Sequence, residues 1–132
     1  MRLQSTMLFV KSLPVMEKFY TQVLGLRPLD ESRGDTWLEF DAGSTTLALH
    51  AIPPHLAQQI NITSPPTPRE ESPYKLVLEA GHLEAELARL RTLGVVLIER
   101  PWGTWDGVDP EGNIFGLVEL RRKPAPQGRP LE

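Results

Sequence analysis

The sequence predicts an α+β fold made of two βαβββ units. Their strands form a curved mixed sheet, with the helices on its outer face and a cup on its inner face. Four matches within the chain predict it. Leu24-Gly25-Leu26 corresponds to Leu93-Gly94-Val95, each directly after a helical stretch. Thr36-Trp37 corresponds to Thr104-Trp105, and Asp41-Ala42-Gly43 to Asp109-Pro110-Glu111-Gly112 at similar spacing. Leu47-Ala48-Leu49 then corresponds to Phe115-Gly116-Leu117. Repetition of this kind marks one supersecondary unit used twice, and a concave inner face is the default place for a ligand.

Each element follows in order. Residues 3–10 read as a strand, since Leu3, Thr6, Met7, Leu8, Phe9 and Val10 are apolar or extended-prone. A helix follows, with Pro14 in its first turn, where the missing N–H costs nothing. Val15, Phe19, Val23 and Leu24 recur at helical spacing, and Gly25 ends the helix. Residues 26–32, 36–41 and 45–51 are short strands, separated by Arg33-Gly34-Asp35 and Asp41-Ala42-Gly43-Ser44. Six of the 13 prolines then fall within residues 53–73 (Pro53, Pro54, Pro65, Pro66, Pro68 and Pro73). That density resists both helix and strand interiors and marks a linker with one turn of helix at most. The pattern restarts with a strand over 74–79 and an amphipathic helix over 82–93, whose Leu83, Leu87, Leu90 and Leu93 share a face. Strands over 95–99, 103–108 and 113–120 follow, the last two joined by the tight turn Asp109-Pro110-Glu111-Gly112-Asn113. Residues 1–120 thus form one domain, with units 1–52 and 74–120 and linker 53–73, and residues 121–132 read as a mobile tail.

Composition removes several function classes. The chain has 132 residues, one ordinary domain's worth. Its 14 Lys and Arg against 17 Asp and Glu leave a net charge of −3, which is no nucleic-acid footprint. It holds no cysteine, which excludes a disulfide framework, a thiolate zinc site and a cysteine nucleophile. No apolar stretch approaches the ~18 residues of a membrane span. The N-terminal residues lack the apolar run of a secretory signal, so the expected compartment is the cytoplasm. There is no P-loop, dinucleotide fingerprint or nucleophile elbow.

The opening, Met1-Arg2-Leu3-Gln4-Ser5-Thr6-Met7-Leu8-Phe9-Val10, with Phe19-Tyr20-Thr21-Gln22-Val23-Leu24-Gly25-Leu26 after it, resembles the start of glyoxalase I. Asp109-Pro110-Glu111-Gly112-Asn113 is similar to the last-hairpin signature of the same group, the vicinal oxygen chelate superfamily of glyoxalases, extradiol dioxygenases and fosfomycin- and bleomycin-resistance proteins. The resemblance covers roughly residues 1–120. It is specific for the fold and weak for the activity, because one fold hosts many functions.

The resemblance implies four cup-facing positions that in the family's enzymes carry His and Glu around one divalent ion. Here they fall on Ser5, Ala48, Lys75 and Gly116. Ala and Gly offer no donor atom, and a lysine ammonium has no free lone pair. No metal is therefore expected. His50, two residues past Ala48, shares its strand face. It is read as a cup or rim histidine, with metal ligation as the rival reading. Lys75 is read either as a snorkelling or carboxylate-bound side chain, or as a partner for an anionic or carbonyl-bearing ligand. Met7 and Phe9 extend the face of Ser5. Trp37 and Trp105 fall at equivalent places, in the core, at a dimer seam or at the cup mouth, and Trp102 opens the penultimate strand as an aromatic wall.

Two functions lead, ahead of a metal-free isomerase or lyase with Lys75 or His50 as general base and of a purely structural or regulatory role. The first is a metal-free binding protein, a homodimer with units side by side or exchanged between chains, holding a small aromatic or amphiphilic molecule. Its expected ligand-binding residues are Ser5, Met7, Phe9, Trp37, Ala48, His50, Lys75, Trp102, Trp105 and Gly116. The net charge and Lys75 argue against a cationic drug such as bleomycin. The second is a glyoxalase- or dioxygenase-like enzyme with one divalent metal ion, using His50. Neither reading calls for nucleic acid or a membrane.

Overall fold

The computed structural model describes residues 1–120, so the expected tail at 121–132 lies outside the described residues. The chain follows the expected order. Strand β1 (Ser5–Val10) leads into helix α1 (Leu13–Lys18), which continues as a wider π turn over Phe19–Val23. Strands β2 (Arg27–Leu29), β3 (Trp37–Asp41) and β4 (Thr46–Ala51) complete the first unit. A single turn of helix, α2 (Pro54–Ala57), opens the linker. The second unit is β5 (Leu76–Ala80), α3 (Leu83–Thr92), β6 (Leu97–Glu99), β7 (Trp105–Val108) and β8 (Ile114–Glu119). No helix among the described residues is long and apolar enough to cross a membrane.

Each unit forms a four-stranded mixed sheet, ordered β1-β4-β3-β2 and β5-β8-β7-β6. In both, the first strand runs parallel to the last and the other pairs are antiparallel. The parallel pairing needs a crossover, and the amphipathic helix supplies it. Local chemistry sets the helix ends. Ser12 Oγ accepts the Val15 N–H at 3.4 Å ahead of α1, and His82 Nδ1 accepts the Ala85 N–H at 3.2 Å ahead of α3. The strand expected over 26–32 stops at Leu29, because Asp30–Ser32 turns as a 3-10 helix with Ser32 Oγ donating to the Leu29 carbonyl at 2.6 Å.

One core joins both units. Leu8, Val10, Leu38, Phe40, Leu47 and Leu49 of the first sheet meet Leu87 and Leu90 of α3 and Phe115 and Leu117 of the second sheet. Phe19 lies between them, 5.9 Å from the Phe115 ring. The units are also tied by hydrogen bonds. The Glu111 carboxylate accepts the backbone N–H groups of Lys11 at 2.7 Å and Ser12 at 2.8 Å. Tyr20 donates to Asp109 Oδ2 at 2.8 Å. Within the β7–β8 turn, Asp109 Oδ1 accepts the N–H groups of Glu111 and Asn113. Gly112 (φ +90) closes this turn where any Cβ would fall 2.5 Å from the Thr67 carbonyl oxygen, so only glycine fits.

Candidate functional site

Both sheets turn one face to the helices and leave the other open. Residues paired across a ladder share a face. On the first sheet the open face carries Ser5, Met7, Phe9, Trp37, Ala48 and His50, as the alternation predicts. Phe9, His50 and Trp37 form one row across three strands. His50 sits between the two rings, 5.7 Å from Phe9 and 5.6 Å from Trp37. The rings are tilted against one another, by 35° at Phe9 and 67° at Trp37, and Phe9 is 63% exposed. Glu39 pairs with Ala48 and reaches Thr46 Oγ1 at 3.3 Å.

The second sheet departs from the repeat. Trp37 pairs with His50 on the open face, whereas Trp105 pairs with Leu117 on the helix face. The cause is the hairpin. Residues 42–45 join β3 to β4, but residues 109–113, one more, join β7 to β8. A shift of one residue sends every side chain of a strand to the other side. Trp105 is therefore not placed like Trp37. It packs against the core, with the Arg91 guanidinium 5.9 Å over its ring. The same shift puts Asp106 on the open face, opposite Gly116. Gly107 lands on the helix face, where a Cβ would approach the Phe115 ring to 2.4 Å.

Asp106 is the residue that sequence reasoning missed, and counting the hairpin loop would have found it. Its side chain is 2% exposed, yet it is ionically paired twice. Lys75 Nζ donates to Oδ1 at 3.1 Å, and Arg100 Nε donates to Oδ2 at 2.8 Å. Arg100 also forks onto the Glu70 carboxylate at 3.2 and 3.3 Å. The Lys75 side chain is 40% exposed, and its ammonium has three protons for the two oxygens of one carboxylate. Gly116 lies beside the bridge, where a Cβ would touch Asp106 Oδ1 at 3.5 Å and Lys75 Cε at 3.6 Å, ordinary contact distances.

Two cavities border this pair. One, of about 300 Å³, lies between the edge strands of the two sheets and is lined by Met7 and Leu8 of β1, Leu76 of β5, Tyr20, Tyr74 and Lys75. The other, of about 270 Å³, is lined by Lys75, Arg100, Asp106, Tyr74 and Trp102. Met7 and Lys75 thus share the first cavity, and Lys75 and Trp102 the second. His50 and its aromatic row stand apart from both.

The four positions at which the resemblance implies metal ligands do not fit a divalent ion. Ser5 and Ala48 lie on the first sheet, Gly116 on the second, and Lys75 directly ahead of β5. The only charged member is an ammonium, already bound to a carboxylate. No group of three or more His, Asp or Glu side chains is arranged to hold a metal among the described residues.

The chain matches the Glyoxalase/Bleomycin resistance protein/Dioxygenase superfamily over residues 2–115. The chain belongs to this superfamily. None of the curated proteins matches it. Among solved structures it is similar to TnmS3, an antibiotic binding protein from Streptomyces sp. CB03234, at 25% identity and a TM-score of 0.64, covering 92% of this chain and 97% of that one. It shares its fold with lactoylglutathione lyase from Agrobacterium tumefaciens (20% identity, TM-score 0.59, 89% and 92% covered). The same holds for the trypanothione-dependent glyoxalase I of Leishmania major (22%, TM-score 0.64, 90% and 86%). Within this superfamily, the present chain carries an ion-paired lysine, Lys75 on Asp106, at one of the positions where the resemblance implies metal ligands.

Proposed function

We propose that this chain is a metal-independent binding protein of the superfamily, taking a small aromatic or amphiphilic molecule on the open faces of its sheets. One observation carries the reading: at the implied ligand positions of the second unit, Gly116 has no side chain and the Lys75 ammonium is bound to Asp106. A buried carboxylate between two cations is a poor start for a metal site, because an incoming ion must displace both. The exposed rings of Phe9, Tyr74 and Trp102 suit flat apolar ligands. The likeness to TnmS3 supports the same reading.

The functional unit is a homodimer in the cytoplasm. Met7, Phe9 and Val77 are exposed on the open sheet faces, an apolar surface that a second copy would cover. Sedimentation tests this directly, and a monomer at all concentrations overturns it.

The test of the binding reading uses tryptophan fluorescence of the purified protein, titrated with neutral and charged aromatic compounds, with and without a strong chelator. Saturable quenching that the chelator leaves unchanged is the expected result. Elemental analysis after incubation with zinc, nickel, manganese and ferrous iron runs alongside. Near one ion per chain, lost in His50→Ala, overturns the proposal in favour of a glyoxalase- or dioxygenase-like lyase or oxygenase.

A further inference from the structure

The two cavities beside Lys75 differ in chemistry yet share a wall. Tyr74 and Lys75 line both of them. The first is closed mainly by apolar groups, among them Met7, Leu8 and Leu76. The second is charged, and its charges do not cancel. Arg69, Lys75 and Arg100 supply three cations against the two carboxylates of Glu70 and Asp106. One positive charge is left over, in a protein whose net charge is −3. Both carboxylates already have partners. Asp106 accepts from Lys75 and Arg100, and Glu70 accepts from both terminal nitrogens of Arg100. The unspent hydrogen-bonding capacity belongs to donors, above all the ammonium of Lys75, whose side chain is 40% exposed. Tyr74 is 86% exposed beside it, a ring with nothing stacked on it.

Resting on the binding reading above, we infer that the ligand is an aromatic monoanion. Its carboxylate or comparable acidic group takes the free Lys75 protons, and its ring lies on Tyr74 and reaches toward Met7. A second negative charge would meet Glu70 and Asp106 without a compensating cation. A cationic ligand would meet the leftover positive charge. Asp106 is the positioning residue for Lys75, since without it the ammonium would swing to water.

The test compares three probes of one shape by titration calorimetry with the full chain at low salt. They are naphthoate, the neutral alcohol naphthylmethanol and the cationic amine naphthylmethylamine. Naphthoate is expected to bind about tenfold or more tightly than the other two, the increment of one charge-assisted hydrogen bond. Its affinity, and not that of the alcohol, should fall with added salt. Lys75→Met should erase the preference and Lys75→Arg should keep it. Tyr74→Ala, at an exposed side chain, should weaken all three alike. If the alcohol binds as tightly as naphthoate, or if Lys75→Met leaves the preference intact, the anion assignment is overturned while the aromatic-binding reading stands. If none of the three binds, the binding reading falls and the inference falls with it.

Discussion

Lys75 Nζ meets Asp106 Oδ1 at 3.1 Å above Gly116, a residue with no side chain to come between them. Lys75 directly precedes β5 and Asp106 lies on β7, so the partners stand on either side of β8, which runs between those strands. The bridge therefore depends on three residues from three neighbouring chain segments, and each can be tested alone.

The carboxylate of Asp106 has two cationic partners of unequal standing. Arg100 is the less exposed of the two (16% against 40% for Lys75), makes the shorter bond and also holds Glu70. Arg100→Met should therefore cost more stability than Lys75→Met. Urea denaturation of both variants checks the order. The reverse order would mean that Lys75, and not Arg100, neutralises the buried charge.

The two glycines flanking this pair make opposite predictions. A Cβ at Gly107 would sit 2.4 Å from the Phe115 ring, a distance that no small adjustment relieves. Gly107→Ala should cost roughly 1–3 kcal/mol through overpacking. Phe115→Leu in the same chain should recover part of that loss, a coupling that a double-mutant cycle measures. Gly116→Ala places its Cβ at ordinary contact distances and should change stability by less than about 1 kcal/mol. A severe loss at Gly116 would show that the open face has no room there.

Much of this was legible in the residues. The repeat of helix stop, turn and Leu-Ala-Leu strand predicted both units, and period-two alternation placed Met7, Phe9 and His50 together on one face. Trp105 and Asp106 were not legible from the same matches. Thr36-Trp37 and Thr104-Trp105 align as letters, but the longer hairpin at 109–113 reverses which of the second pair faces out. Sequence matching records identity at a position, whereas facing depends on parity counted from the turn. Arg100 was missed for another reason. It reads as one more solvated cation until the fold brings Glu70 of the linker and Asp106 of β7 to it.

Glu111 shows how a turn residue can hold two units together. Its buried carboxylate accepts two backbone N–H groups just past the end of β1, from Lys11 and Ser12. Glu111→Gln replaces one acceptor oxygen by an NH₂ group, which then faces an N–H with no acceptor between them. A loss of about 1–3 kcal/mol is expected. Amide hydrogen exchange should locate it, with faster exchange at Lys11 and Ser12. Unchanged protection at those two amides would refute the assignment.

The turn's other acid gives a pH dependence whose sign can be worked out. Asp109 is fully buried, and burial raises its pKa above the ordinary 3.8, against the opposing pull of its hydrogen bonds from Asn113 and Tyr20. Tyr20 is likewise pushed up, first by burial and then by the Asp109 charge, so it stays a donor at neutral pH. An acid raised in the fold stabilises it fully below the ordinary value, and that contribution is lost as pH rises through the raised one. Asp109→Asn has no such titration. Urea midpoints taken from acid to neutral pH should therefore move in favour of Asp109→Asn, relative to the native chain, across and above the ordinary carboxylate range. Tyr20→Phe removes a donor that lowers the Asp109 pKa, so its loss of stability should extend to higher pH than in the native chain, on top of about 1 kcal/mol lost at all pH values. Parallel curves for the native chain and Asp109→Asn would mean that Asp109 keeps its ordinary pKa in the fold, with the four hydrogen bonds it accepts fully offsetting its burial.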